Sequence, residues 1–185
     1  CGGLTEGFLA AGIDVVASVE LHPQAALTHA FNHPSTSVFV GDVRDWDREL
    51  LDDSLAEREV VRPDIVAGGP PCQGFSSAGK KSSTDPRNSL FHAFADVVAH
   101  YLPKLFLLEN VPGFRTMYGG STYNEAVATF ANLGYQTTAI DVRAANYGVP
   151  QTRRRFVLVG WLAGEVEPFE LVNGTTEMVT VDDAL

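Results

Sequence analysis

One cysteine in this chain sits where a thiolate could attack a flat ring. Residues 68–76 read Gly68-Gly69-Pro70-Pro71-Cys72-Gln73-Gly74-Phe75-Ser76 and follow an apolar, strand-like run, Pro63-Asp64-Ile65-Val66-Ala67. The two prolines fix φ ahead of the sulfur, and the flanking glycines admit close approach of a planar substrate. A free cysteine is more often a small buried hydrophobe. Cys72 instead lies past its strand, in a segment that continues into Ser76, Ser77, Gly79, Lys80 and Lys81. That context favours a nucleophile over a packing residue. A second reactive group stands downstream, where the apolar run Lys104-Leu105-Phe106-Leu107-Leu108 ends at Glu109-Asn110-Val111-Pro112-Gly113. An acid in such a place is often a helix cap or a loop charge; set beside Cys72, it fits proton transfer. A third group is Gln151-Thr152-Arg153-Arg154-Arg155. Three consecutive arginines usually form a solvated or phosphate-facing patch, and the lead-in from Pro150 with the strand that follows favours an active-site role.

The elements that must position these groups alternate. Ile13 to Val19 runs into Glu20, Thr36 to Gly41 into Asp42, Pro63 to Ala67 toward Cys72, and Lys104 to Leu108 into Glu109. The last run is of the kind that forms a fully buried parallel strand, with Glu109 just past its end. In an open parallel α/β sheet ligands bind outside the carboxyl ends of the strands, so Glu20, Asp42, Cys72 and Glu109 are expected on one rim. Between the strands, Pro23 to Asn32 reads as a crossover helix closed by Pro34. Residues 88–101 carry Leu90, Phe91, Phe94, Val97, Val98 and Tyr101 at helical spacing, a core face. Asp47 to Glu59 is a weaker, charged helix with a solvated face. Further strands are expected at Tyr135 to Val142 and Phe156 to Trp161, and the alternation predicts a doubly wound α/β domain.

The amino-terminal part suggests a nucleotide-like ligand. Gly2 and Gly3, with Gly7, form a glycine-rich turn into a short helix, Thr5 to Ala11, and Glu20 fits recognition of ribose hydroxyls. A nicotinamide enzyme would suit this half equally, but it has no use for the Pro-Pro-Cys turn or for Glu109. Asp42, taken alone, also fits a helix cap.

The chain of 185 residues, 45% hydrophobic, suits one domain with no membrane-spanning run and no secretory leader. Its two cysteines make no disulfide framework, which implies a reducing, intracellular setting, and no histidine or cysteine spacing suits a metal. The net charge of −10 is unevenly placed: Asp42 to Asp64 holds nine acids against four bases, and Glu165 to Asp183 six acids and no base. Residues 143–155 carry four arginines and no acid, and Lys80, Lys81 and Arg87 follow Cys72. A basic strip on an acidic body serves local phosphate contact rather than general nucleic-acid affinity, which a separate element must supply.

Taken together, Gly-Pro-Pro-Cys-Gln-Gly-Phe-Ser, Glu109-Asn110-Val111 and Gln151-Thr152-Arg153-Arg154-Arg155, in this order and spacing, resemble the cytosine-C5 methyltransferases. Cys1 to Phe8 is similar to the latter part of that family's S-adenosylmethionine loop, and Gly41-Asp42-Val43 to its adenine-side acid. The likeness runs from residue 1 to about 160, and Val179 to Leu185 resembles the segment leading into the family's target-recognition region. It implies a Rossmann-like, mostly parallel fold and methyl transfer from S-adenosyl-L-methionine to C5 of cytosine in DNA.

In that chemistry Cys72 adds to C6 of a cytosine flipped from the helix, which makes C5 nucleophilic. Glu109 shares a proton with N3, and Arg155 stabilises charge at O2. The resemblance implies that Arg153 holds the cysteine loop and substrate, and that Asn110 holds the Glu109 turn. Gln73, Ser76 and Gln151 fall among substrate contacts, and Gly2, Gly3, Glu20, Leu21, Asp42, Val43, Pro70 and Leu90 around the cofactor.

Against the family pattern, the strand and aromatic residue before the cofactor loop are absent, as are the target-recognition domain and the closing segment. Residues 1–185 are therefore expected to be the catalytic domain of something longer, with unpaired strand edges where the first strand would lie, and not to turn over alone. A bacterial, cytoplasmic restriction-modification or orphan methylation setting fits the compact spacing. The alternatives are the same chemistry on transfer RNA and a noncatalytic binding or regulatory module; the latter is expected to lack Cys72 or Glu109, and both are present.

Overall fold

The computed structural model describes residues 2–71, 89–169, 174 and 179–184. They form two compact units, Cys1–Pro63 and Asp64–Leu185. In the first unit come α1 (Gly3–Ala10), β1 (Ala17–Glu20), α2 (Pro23–Asn32), β2 (Ser37–Val40) and α3 (Arg48–Ala56). β1 and β2 pair in parallel, Ala17 opposite Ser37 and Glu20 opposite Val40, with α2 as the crossover. Proline at the start of α2 costs nothing, because the first N–H groups of a helix have no intrahelical partner. Asp47 caps α3 by accepting from Leu50 N (3.0 Å). The buried residues of α3 are Leu51 and Leu55, one turn apart, which confirms a charged helix with a narrow apolar stripe.

The second unit holds β3 (Ile65–Gly68), α4 (Ser89–Tyr101), β4 (Leu105–Asn110), α5 (Ser121–Asn132), β5 (Tyr135–Arg143), β6 (Arg154–Leu162) and α6 (Val181–Ala184). The sheet order is β3-β4-β6-β5. β3 and β4 pair in parallel, while β6 is antiparallel to both its neighbours, β4 and β5. Three of the four strands therefore run one way and β6 runs against them. The fold is α/β with a mostly parallel sheet, an incomplete Rossmann-like arrangement, as the alternation of elements predicted.

Two expectations are corrected here. β4 is not buried on both faces: its residues alternate between half-buried and buried, with Phe106, Leu108 and Asn110 inward. Glu109 is not past the strand; it is the penultimate residue of β4, opposite Val157. The helix α5 was not foreseen. Tyr123, Ala126 and Phe130 form its core face, but Asn124, Glu125 and Thr129 between them dilute the periodicity.

The inward face of the second sheet meets α4 and α5 across an aromatic core. Phe91, Phe94, Val98, Phe106, Phe114, Phe130 and Phe156 are buried. The Phe106 and Phe130 rings lie 3.9 Å apart between centroids, and Phe94 meets both edge-on. Such pairs add to the gain from burial alone, about 1.5–3 kcal/mol per large apolar side chain. On α4, Phe91, Phe94, Val98 and Tyr101 are buried as expected, while Leu90 is only half-buried.

Candidate active site

The carboxyl end of β4 carries the arrangement that chemistry would need. Strand alternation sends Asn110 into the protein and Glu109 to the opposite face. Because β6 is antiparallel, its first residues lie beside the last residues of β4: Asn110 faces Phe156 and Glu109 faces Val157. Arg155 is thus the diagonal neighbour of Glu109 on the same face, within reach of a long side chain. Its Nε lies 2.7 Å from Glu109 Oε1, and Arg153 Nη2 lies 3.6 Å from the same oxygen. Glu109 and Arg155 are 30% and 25% exposed, so the pair is sheltered yet reachable. Arg155 also donates from Nη1 to its neighbour's carbonyl, Arg154 O, at 2.7 Å, which fixes the guanidinium. Arg154 is exposed and turns to the other face.

Two further contacts tie this carboxylate to the segment entering the cysteine loop. A side chain at Gly69 would place its Cβ 3.1 Å from Glu109 Oε2, so the absence of one leaves room for the acid. Asn110 Nδ2 donates to Pro70 O (3.1 Å) and Asn110 Oδ1 accepts from Val111 N (2.8 Å). Asn110 therefore holds both the turn after β4 and the backbone two residues before Cys72. Cys72, Gln73 and Ser76 themselves lie outside the described residues. Gln151 is exposed just ahead of β6, its N–H donating to Val149 O (2.6 Å). An open hollow of about 380 Å³ beside Gln136, Trp161 and Glu165 lies at the far end of β6 and does not include these groups.

The residues expected around the cofactor divide between the units. Pro70 and Leu90 belong to the second; Gly2, Gly3, Glu20, Leu21, Asp42 and Val43 belong to the first. Gly2 is left-handed (φ 85) and precedes α1, whose first turn has no side-chain cap. Space around Gly3 is open where a Cβ would stand. Glu20 ends β1, and its Oε1 accepts from His22 N (3.0 Å). Leu21 is about half exposed. Asp42 caps the 3₁₀ turn Val43–Asp45 by accepting from Arg44 N (2.9 Å), and the Arg44 guanidinium also bonds it. Those hydrogen bonds hold the Asp42 carboxyl down at about 2. Asp42 is thus the cap that its type alone allowed. An uncapped helix start, an open glycine and a strand-end acid fit a ligand bearing a carboxylate and ribose hydroxyls, as S-adenosylmethionine does.

Sequence reasoning missed Gly69 and the reach of Asn110 to Pro70. The Gly68-Gly69 pair was the available signal, but a glycine does not say what fills the space beside it. Among the described residues no His, Cys, Asp or Glu cluster could hold a metal ion, and no helix is long and apolar enough to cross a membrane.

The family model for C-5 cytosine-specific DNA methylases matches residues 1–182. The chain is 39% identical over 163 residues to the type II methyltransferase M.DdeI of Desulfomicrobium norvegicum, covering 86% of this chain and 38% of that protein. With the type II methyltransferase M1.HphI of Haemophilus parahaemolyticus it shares 40% identity, over 100% of this chain and 49% of the relative. A crystal structure described as that of a prophage-encoded DNA modification methyltransferase of E. coli superposes with a TM-score of 0.82 at 33% identity, over 98% of this chain and 51% of that one. The chain spans about half the length, or less, of these relatives.

Proposed function

The chain belongs to the C-5 cytosine-specific DNA methylases, and on that premise we propose that it supplies the catalytic and cofactor part of an enzyme that methylates C5 of cytosine in DNA. The observation that carries this reading is the Glu109 carboxylate held by Arg155 at the end of β4, with Asn110 fastened to Pro70 at the entry to the Cys72 loop.

Cytosine C5 is a poor nucleophile. In the proposed reaction the Cys72 thiolate adds to C6, and the electron pair displaced from the C5–C6 bond is shared between C5, N3 and O2. A proton held between the Glu109 carboxylate and N3 neutralises the charge as it develops. Arg155 orients Glu109 through Nε and places a positive charge near the O2 side of the ring; Arg153 adds a second cation. S-adenosylmethionine, when bound, supplies an electrophilic methyl group to C5. A base then takes the C5 proton, the C5–C6 double bond re-forms and the thiolate leaves. The cytosine must be out of the duplex to reach a strand end.

In the first unit the uncapped start of α1 suits the methionine carboxylate of the cofactor and Glu20 its ribose hydroxyls. The arginine-bearing segment 143–155 serves phosphate contact, and a separate element supplies most of the DNA affinity. A bacterial restriction-modification setting in the cytoplasm accords with the type II relatives.

The test is mass spectrometry of 5-methyldeoxycytidine and 5-methylcytidine in the separated DNA and RNA of cells expressing the full-length protein, with Cys72→Ser as the control. A rise in the DNA pool that Cys72→Ser abolishes is expected. A rise confined to RNA would move the chemistry to transfer RNA, and a rise that survives Cys72→Ser would overturn the covalent mechanism.

A further inference from the structure

The first unit buries two imidazoles that the proposed chemistry does not use. His29 and His33, one turn apart on and just past α2, are 7% and 5% exposed, and their rings meet edge-on at 5.3 Å. His29 bridges two other elements. Its Nε2 is hydrogen-bonded to Thr5 Oγ1 in the first turn of α1 (2.9 Å), and its Nδ1 lies 3.4 Å from Ser18 Oγ on β1. Thr5 is itself buried. Ser18 stands two residues before Glu20, on the same face of the strand. Above the two rings sits Gly2: a Cβ there would come within 2.5 Å of the His33 ring and 3.0 Å of His29. The bare, left-handed glycine is therefore seated on an imidazole platform.

We propose that His29 is a positioning residue for the cofactor end of the site, fixing the Gly2–Gly3 turn relative to Glu20 by bonding Thr5 and Ser18 at once. The inference rests on the reading of Gly2, Gly3 and Glu20 as cofactor-binding. Imidazole suits the task because its two nitrogens point to opposite edges, and hydroxyls can donate or accept to match either tautomer. Protonation leaves both hydrogen bonds available, since both hydroxyls can accept, so any acid sensitivity comes from burying the charge.

Burial first, and then the neighbouring His33, lower the His29 pKa below its ordinary value, with Glu20 opposing. Among the described residues, the acidic side chains facing the pair are Glu20 from β1 and Glu6 from α1, the latter 3.9 Å from His33 Nδ1 and 75% exposed; β2 contributes none. Acidification below the ordinary histidine value, where buried His29 takes up its proton, thus strains the platform, and the cofactor site loosens with it.

Calorimetric titration of S-adenosylmethionine into the full-length protein between pH 7.5 and 5.5 tests this. His29→Ala is expected to weaken binding about tenfold at pH 7.5, the size of one to two net hydrogen bonds. His29→Gln, which keeps a donor and acceptor toward Thr5 but cannot titrate, is expected to recover most of that loss and to show a smaller decline toward pH 5.5 than the parent. Tight binding by a folded His29→Ala, or an acid decline in His29→Gln equal to the parent's, would overturn the positioning role while leaving the cofactor reading intact. Absence of binding by the parent, or no weakening in Glu20→Ala, would overturn the cofactor reading and the positioning role with it.

Discussion

The two units bury opposite kinds of side chain. Beyond Asp64 the interior is aromatic: Phe91, Phe94, Phe106, Phe114, Phe130 and Phe156 stack and interlock behind the sheet that carries Glu109 and Arg155. Before Pro63 the buried apolar residues among those described are Ala26, Leu51 and Leu55, and they share the interior with Thr5, His29, His33 and Thr36. An aromatic interior does not titrate and packs densely, which suits a carboxylate and guanidinium that must keep a 2.7 Å contact. A polar interior gains less from burial and depends on each hydrogen bond being made, so it answers to pH. The part proposed to hold the reacting base is thus built for constancy, and the part proposed to hold the cofactor for responsiveness.

The strongest challenge to that contrast is Phe106→Ala. It removes a fully buried ring that touches Phe94, Phe130 and Tyr135, and is expected to cost about 3–5 kcal/mol by urea unfolding. Leu55→Ala in the first unit should cost clearly less, and equal losses would dissolve the distinction. Next in size, Glu109→Gln should slow methyl transfer by about 10²–10³-fold with an unchanged unfolding midpoint, because the lost group acts on the reaction and not on the core. A matching fall in stability would make Glu109 a structural acid.

A smaller effect is expected from acid. A histidine whose folded-state pKa is lowered takes up its proton more readily when unfolded, so stability falls as pH drops below the ordinary histidine value and levels off below the folded value. Stability followed from pH 7.5 to 5 should decline in the parent and decline less in His29→Gln. Smallest of all is Arg44→Ala, which should let the Asp42 carboxyl rise from about 2 toward its ordinary value, readable by NMR titration. A carboxyl with a depressed pKa stabilises above its unfolded value and loses that contribution as pH falls through about 2. At neutral pH the change should be slight, as for most surface ion pairs.

Much of the site was legible because chemistry at strand ends leaves a linear trace: an apolar run, then an acid or a cysteine turn. Glu20 and Glu109 stand out as candidates that way, and the helical spacing of Phe91, Phe94, Val98 and Tyr101 marks the core face of α4. Strand direction leaves no such trace. Residues 154–162 look the same whether β6 runs with or against β4, yet only the antiparallel sense sets Arg155 beside Glu109. Asp42 illustrates a different limit: its type allowed a cap, but the hold of the Arg44 guanidinium on its carboxylate depends on turn geometry that Asp-Val-Arg does not announce. His29 was indistinguishable from four other scattered histidines, because what sets it apart is a threonine and a serine brought in from two other elements.

The Glu109–Arg155 contact also orders events in time. A ribosome releases β4 well before β6, and in the interval the strand bearing Glu109 lacks both its cation and its neighbour on that side. The nascent chain therefore carries its carboxylate unassembled until Arg155 has emerged and the antiparallel pairing has closed. Closure of so distant a pairing is slow compared with forming the helices on either side. Any competence that depends on this pair is acquired only once β6 has emerged, and all at once, not by gradual accretion.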